Sequence, residues 1–253
     1  MLRRKLSFYF SKKWYIHPMI CFTHKPAQEQ GNVLFLILIA VALFAALSYA
    51  VSSSQSDGQN ADQEKSTIAA STLVQEITLI KNTIQRMKIL NNCTDEDITF
   101  VYDNDLDGDL DSDDKYWNLN LPSTECYLFH PDGGNLRFPI VDDNIGTGSE
   151  IIFTGFNWVD NVGTPASDLI AITTNITRAA CDQINRELGA PTTNGEPVEE
   201  GSNVESSTFF GAYIQATGID GMDGAYDGCF NGTNFGGTAV GDAYFYYSVL
   251  IAR

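Results

Sequence analysis

The sequence has little histidine and none of the short motifs that mark the common enzyme classes. Of its three histidines, only His130 follows the one long apolar segment, and its context FHPDGG favours a role in a turn. No GxSxG, HExxH, P-loop or GxGxxG motif is present. These absences predict that the chain is not an enzyme.

Positive charge is sparse beyond residue 31. The formal net charge is −17, yet residues 1–31 hold six of the 15 Lys and Arg and only one of the 32 acidic residues, Glu29. A basic head before an apolar segment, followed by an acidic body, is typical of a cytoplasmic head, a membrane segment and an exported domain. The acidic body argues against nucleic acid as a partner, because binding it needs a basic surface.

Cysteine is also infrequent, and its distribution is informative. One cysteine, Cys21, precedes the apolar segment, and four follow it. An even number in an exported region predicts two disulfides, formed in an oxidising compartment. Four cysteines allow three pairings. Cys93–Cys126 with Cys181–Cys229 is favoured, because each bond would close a local part of the chain.

Residues 33–51 (VLFLILIAVALFAALSYAV) carry no charge. This length is about the minimum that crosses a bilayer as a helix. The predicted organisation is a basic leader (1–31), a transmembrane or export helix (32–51), a polar linker or frayed helix (52–66) and an extracytoplasmic domain (67–253). The expected location is therefore the bacterial inner membrane, with the main domain in the periplasm or at the cell surface.

Three kinds of processing are compatible with this arrangement. A prepilin-type peptidase could cut after Gly31 and leave Asn32 as the new N-terminus, since the basic leader before an unbroken apolar helix resembles a prepilin signal. Signal peptidase I could instead cut after Ala50, which would release a soluble domain. The third possibility is that the leader stays attached and the protein remains permanently anchored.

The exported part is predicted to be α+β, with one long N-terminal spine helix followed by a mainly antiparallel sheet. Apolar residues spaced by four and three predict a helix over about 67–90, with Leu73, Ile77, Ile80, Ile84 and Met87 on one face. A second helix is expected within Pro165–Leu188, ending at Gly189. Strands are predicted at 98–102, 125–129, 136–140, 150–153 and 209–215, and in the terminal YFYYSVLIAR. Residues 190–207 and 218–241 are expected to form a polar loop and a series of turns.

Residues 103–114 (DNDLDGDLDSDD) match the pattern of an EF-hand calcium loop. Alternate carboxylates can converge on one hard cation, while a glycine at the sixth position permits the sharp turn, here Gly108. The acid at the twelfth position completes the coordination shell of the ion. Here this residue is Asp114, where an EF-hand usually has Glu. The candidate ligands are Asp103, Asp105, Asp107, Asp109, Asp111 and Asp114. Strand-like flanks predict a lone loop in which calcium is structural.

Five segments together resemble a family of pilin-like exported proteins of alphaproteobacteria, related to type IV prepilins and pseudopilins. They are the apolar run from Gly31, NNCTDEDITF, CYLFHPDGG, CDQINRELG and the terminal YFYYSVLIAR. The resemblance implies a pilin-like fold, a structural role, a membrane, other pilin or pseudopilin subunits as partners, and a prepilin-type peptidase. One departure is Leu36, where most pilins carry a Glu that pairs with a neighbouring subunit. An anchored binding module that does not polymerise is the alternative.

Overall fold

The computed structural model describes residues 33–54, 58–104, 107–215 and 217–253. The chain divides into two compact units, Met1–Gln55 and Ser56–Arg253. In the first unit, helix α1 (Val33–Ser54) confirms the predicted apolar helix, and its large apolar side chains are exposed. Across the described residues, no helix is found that combines the length and apolarity needed to cross a membrane. The described residues of the predicted linker 52–66 are helical.

The second unit begins with helix α2 (Gly58–Leu90), and the predicted apolar stripe is its buried face. All five stripe residues are at most 3% exposed: Leu73, Ile77, Ile80, Ile84 and Met87. Burying such a side chain contributes roughly 1.5–3 kcal/mol. Lys81 and Asp227 form an ion pair at 3.4 Å, and Lys88 pairs with Asp95. The helix is thereby fixed by one apolar face and by charges at its margin.

Among the described residues, seven strands form the sheet. They are β1 (Ile151–Val159), β2 (Asp168–Ile176), β3 (Thr192–Thr193), β4 (Glu196–Val204), β5 (Thr217–Ile219), β6 (Asp227–Phe235) and β7 (Thr238–Ile251). Their order across the sheet is β3-β4-β6-β7-β2-β1-β5. Four of the neighbouring pairs are antiparallel, and the pairs β1–β5 and β4–β6 are parallel. The prediction of an α+β chain with a mainly antiparallel sheet is confirmed.

The central strands bury both faces of the sheet. In β7, Tyr246 and Leu250 belong to the core that includes the α2 stripe, while the alternating residues Phe245, Tyr247 and Val249 belong to a second core on the other face. Successive side chains of a strand point to opposite faces, so a strand covered on both sides must be apolar throughout. The terminal run YFYYSVLI satisfies this need, and its prediction as a buried strand is confirmed.

Helix α3 (Arg178–Leu188) lies on the α2 side of the sheet, in contact with α2 and β6. Thr177 caps its start, because its hydroxyl accepts a hydrogen bond from the Ala180 N–H at 3.3 Å. Gly189 ends it in the left-handed conformation, with φ +66°. The predicted helix and its glycine terminus are confirmed, and β2 occupies the preceding residues.

Both predicted disulfides are present. Cys93 is bonded to Cys126, with 5.8 Å between their Cα atoms, and Cys181 to Cys229, with 5.3 Å. The first connects the end of α2 to the following loop region, and the second fixes α3 to β6. Closing loops of this size typically contributes about 3–4 kcal/mol by restricting the unfolded chain.

Several predicted strands are wrong. Residues 98–102 and 125–129 share one isolated parallel bridge, Thr99 with Tyr127, and Thr124–Cys126 is a 3-10 helix. Segments 136–140 and 209–215 are not strands either. Several of their apolar residues, including Ile98, Leu128 and Phe209, are buried in the core without ladder pairing. Conversely, the predicted loop at 190–207 contains β3 and β4, and the predicted turns at 218–241 contain all of β6 and the start of β7.

Candidate functional site

The acidic loop 103–114 wraps around its own carboxylates in the part that the structure describes. Gly108 takes φ +93°, a conformation that a side chain would strain. Its N–H donates to Oδ2 of Asp103 at 3.1 Å. This bond joins the sixth and first positions of the loop.

Asp114 closes the loop from the other end. It is only 7% exposed. Its Oδ1 accepts from the Asn104 N–H and its Oδ2 from the Asp111 N–H, both at 3.1 Å. The Asn104 side chain accepts in turn from the Lys115 N–H. Each carboxylate oxygen of Asp114 has a further lone pair, because an ionised carboxylate offers about four acceptor sites.

Two other loop carboxylates hold their own backbone in Asx turns. Oδ1 of Asp107 accepts from the Asp109 N–H, and Oδ1 of Asp111 accepts from the Asp113 N–H, both at 2.9 Å. Asp105, one of the predicted ligands, lies outside the described residues. Among the residues that are described, no group of three or more acidic, His or Cys side chains is placed to hold a metal ion.

A cleft of about 680 Å³ lies beside this loop. Tyr102 precedes the loop and Lys115 and Tyr116 follow it, so the two ends of the loop form part of the cleft wall. Other wall residues belong to segment 138–141, to Ser149 and Glu150 just before β1, and to the start of β1. No local pattern predicted this cleft, because its walls come from segments far apart in the chain.

Tyr116 joins the loop to the edge of β1. Its hydroxyl donates to the Ile151 carbonyl at 3.4 Å and accepts from the Phe153 N–H at 3.3 Å. The hydroxyl therefore satisfies two backbone groups of β1 that a neighbouring strand would otherwise pair with. The backbone of Tyr116 has φ +63°, which is costly for an aromatic residue. Burial raises the pKa of this hydroxyl well above its usual range.

The remaining aromatic wall is built by Tyr102 and Phe138, whose rings stack with centroids 4.0 Å apart. Partial burial raises the pKa of the Tyr102 hydroxyl, and the negative charges of Asp114 and Glu150 raise it further. At neutral pH the hydroxyl remains a hydrogen-bond donor.

The other residues considered from sequence lie elsewhere. His130 is in a turn, where its Nδ1 accepts from the Asp132 N–H at 3.2 Å, as expected from its FHPDGG context. Gly31 and Asn32, the predicted processing junction, lie outside the described residues. Ala50, the alternative cleavage position, is within α1.

No protein-family model, curated protein or solved structure matches this chain.

Proposed function

We propose that this chain is a membrane-anchored, extracytoplasmic structural subunit of the pilin or pseudopilin kind. The observation that carries the proposal is the packing of α2, which buries a long apolar stripe against one face of a mainly antiparallel sheet. Two disulfides in the same unit are typical of an exported protein. A long helix laid on a disulfide-closed sheet is the plan that the sequence resemblance implies.

The N-terminal segment supports attachment to a membrane. Apart from Ser48, residues 33–49 carry apolar side chains, and these are exposed, with Phe44 73% exposed. An apolar helix without protein partners is stabilised by a lipid phase or by other apolar helices. The acidic body, which follows a basic leader, favours the orientation with the main domain outside the cytoplasm.

Calcium at loop 103–114 belongs to this proposal as a structural ion. The ligands would be drawn from the six aspartates predicted from sequence, and the ion would neutralise their mutual repulsion. The glycine turn at Gly108 and the closure by Asp114 support the assignment, because both are needed for an acidic loop to surround a cation. Binding to the folded state alone would add stability by mass action.

A second candidate is an anchored binding module that does not polymerise. The sequence feature that favours it is Leu36, because this position lacks the acid that pairs subunits in most pilins. The two candidate functions differ in whether the chain polymerises.

Cross-linking in native membranes tests for assembly. A structural subunit should yield a ladder of multimers containing this chain or related subunits. Leu36→Glu should raise the multimer fraction, and Leu43→Glu, which places the same charge elsewhere in the apolar segment, should not. A chain that stays monomeric in membranes, with Leu36→Glu as well, would support the binding module.

A further inference from the structure

The cleft beside the acidic loop holds two opposite charges that do not neutralise each other. Lys115 and Glu150 both line it. Neither makes an ion pair with any described residue, and so the Lys115 Nζ and the Glu150 carboxylate lie more than 4.0 Å apart. An ammonium donor and a carboxylate acceptor are thus both available to a ligand within one cleft.

The backbones that carry these two charges are anchored. The Lys115 N–H donates to the Asn104 side chain, and the Glu150 N–H donates to the Thr174 hydroxyl at 3.4 Å. Only the flexible ends of the two side chains remain to adjust.

The rest of the wall combines apolar side chains with polar ones such as Ser149, Ser206 and Thr208. It includes the stacked rings of Tyr102 and Phe138 together with Ile140, Ile151 and Phe235. The volume of about 680 Å³ is typical of sites for small organic ligands, which combine an apolar lining with a few polar groups. The complementary ligand therefore has an apolar part and both signs of charge.

We propose that this cleft binds an apolar α-amino acid in its zwitterionic form. The ligand carboxylate accepts from the Lys115 ammonium, the ligand ammonium donates to the Glu150 carboxylate, and the ligand side chain packs on Phe138. The two charges of a zwitterion satisfy Lys115 and Glu150 together, whereas a ligand with a single charge leaves one of the two residues unpaired. The proposal goes beyond the structural role and does not depend on calcium.

Calorimetric titration of the full chain in detergent with L-phenylalanine and L-leucine tests this assignment. Two analogues of L-phenylalanine each lack one charge: the amide keeps only the ammonium, and the N-acetyl derivative keeps only the carboxylate. We expect saturable binding of the amino acids and roughly tenfold weaker binding of each analogue, because each loses one charged hydrogen bond. We expect the same order of affinities in saturating calcium and in the presence of a chelator.

Two variants make the test specific. Lys115→Met should bind the amino acid and its amide equally, and Glu150→Gln should bind the amino acid and its N-acetyl derivative equally. Glu125→Gln, an exposed acid outside the cleft, should keep the wild-type preferences. Such a crossover cannot arise from general loss of folding. The proposal is overturned by the absence of saturable binding at millimolar amino acid, by analogues that bind as well as the zwitterion, or by preferences that neither variant changes.

Discussion

The side chain of Asn185 takes the place of a strand next to Cys229. Its Nδ2 donates to the Cys229 carbonyl at 2.8 Å, and its Oδ1 accepts from the Cys229 N–H at 2.7 Å. Both residues are buried, and Cys229 is also bonded to Cys181 of the same helix. β4 begins its pairing with β6 one residue later, at Phe230. One amide therefore satisfies the edge of β6 where the neighbouring strand has not yet begun.

Removal of this amide should destabilise the second unit. Asn185→Ala leaves the N–H and the carbonyl of Cys229 buried without partners, at a cost of about 2–4 kcal/mol. The measurement is the free energy of unfolding from urea denaturation. Gln183→Ala, on the same helix but without this contact, should cost less than about 1 kcal/mol. Equal losses in the two variants would contradict the account of Asn185.

The disulfide between α3 and β6 should be a separate source of stability. Replacing Cys181 and Cys229 together by Ala should lower the free energy of unfolding by about 2–5 kcal/mol. Cys21→Ala, a cysteine outside the exported region, serves as the control and should leave the transition unchanged. Non-reducing peptide mapping should recover a Cys93–Cys126 peptide in both proteins. A peptide that links Cys126 to Cys181 would refute the pairing.

Calcium should stabilise the folded chain through the acidic loop. Asp105→Ala with Asp107→Ala should lower Tm in calcium and remove its dependence on a chelator, because the ion would lose two carboxylate ligands. Asp143→Ala with Glu125→Ala removes the same number of charges elsewhere and should keep the response to the chelator. If the wild-type Tm does not change on addition of calcium, loop 103–114 is a solvated acidic turn.

Stability should fall in alkaline solution because of buried tyrosines. Burial raises the pKa of Tyr213, Tyr246 and Tyr247 well above the ordinary value of 10.0, and nearby acidic groups such as Asp227 raise it further. Above pH 10.0 the unfolded chain loses these protons while the folded chain keeps them. The free energy of unfolding should therefore decrease as pH rises, by at most about 1.4 kcal/mol per pH unit for each group.

Urea denaturation on either side of pH 10.0 measures this decrease. Tyr246→Phe retains the buried ring without the hydroxyl and should reduce the slope. The exposed Tyr226→Phe should reproduce the wild-type slope. A wild-type stability that is independent of pH above 10.0 would mean that these hydroxyls ionise freely in the folded protein.

Sequence patterns predicted the elements whose contacts are periodic or local. The stripe on α2, the helix ending at Gly189 and the apolar strand β7 each carry a repeated or terminal signal in their own residues. The pairing of the cysteines followed from closure of local segments. These features were accessible because a few neighbouring positions determine each of them.

The polar strands were missed although two turn signals were present. Asn194 and Gly195 have φ +54° and +83°, and they connect β3 to β4; Gly236 and Gly237 have φ +56° and +76°, and they connect β6 to β7. Two successive residues with positive φ are typical of tight hairpin turns, and Asn-Gly and Gly-Gly are the preferred pairs. The polar, glycine-rich composition of these segments suggested loops. The Asn-Gly and Gly-Gly pairs were the stronger physical argument, because they favour a hairpin between two strands.

The false strands and the cleft have a different cause. Segments such as 98–102 are apolar because they are buried, with Ile98 and Phe100 fully buried, and nothing local distinguishes burial from pairing in a ladder. Lys115 and Glu150 are brought to one cleft by the tertiary fold. No local pattern could identify these two residues as members of one site.

The central claim is that the chain is a pilin-type subunit held at a membrane by residues 33–51. Mass spectrometry of the mature N-terminus, on protein purified from its own membranes, tests it most directly. The expected start is Asn32, and Gly31→Leu should abolish this cleavage. A start at Val51 would contradict the claim, because the apolar segment would then be a removed signal peptide and the head a secreted soluble domain.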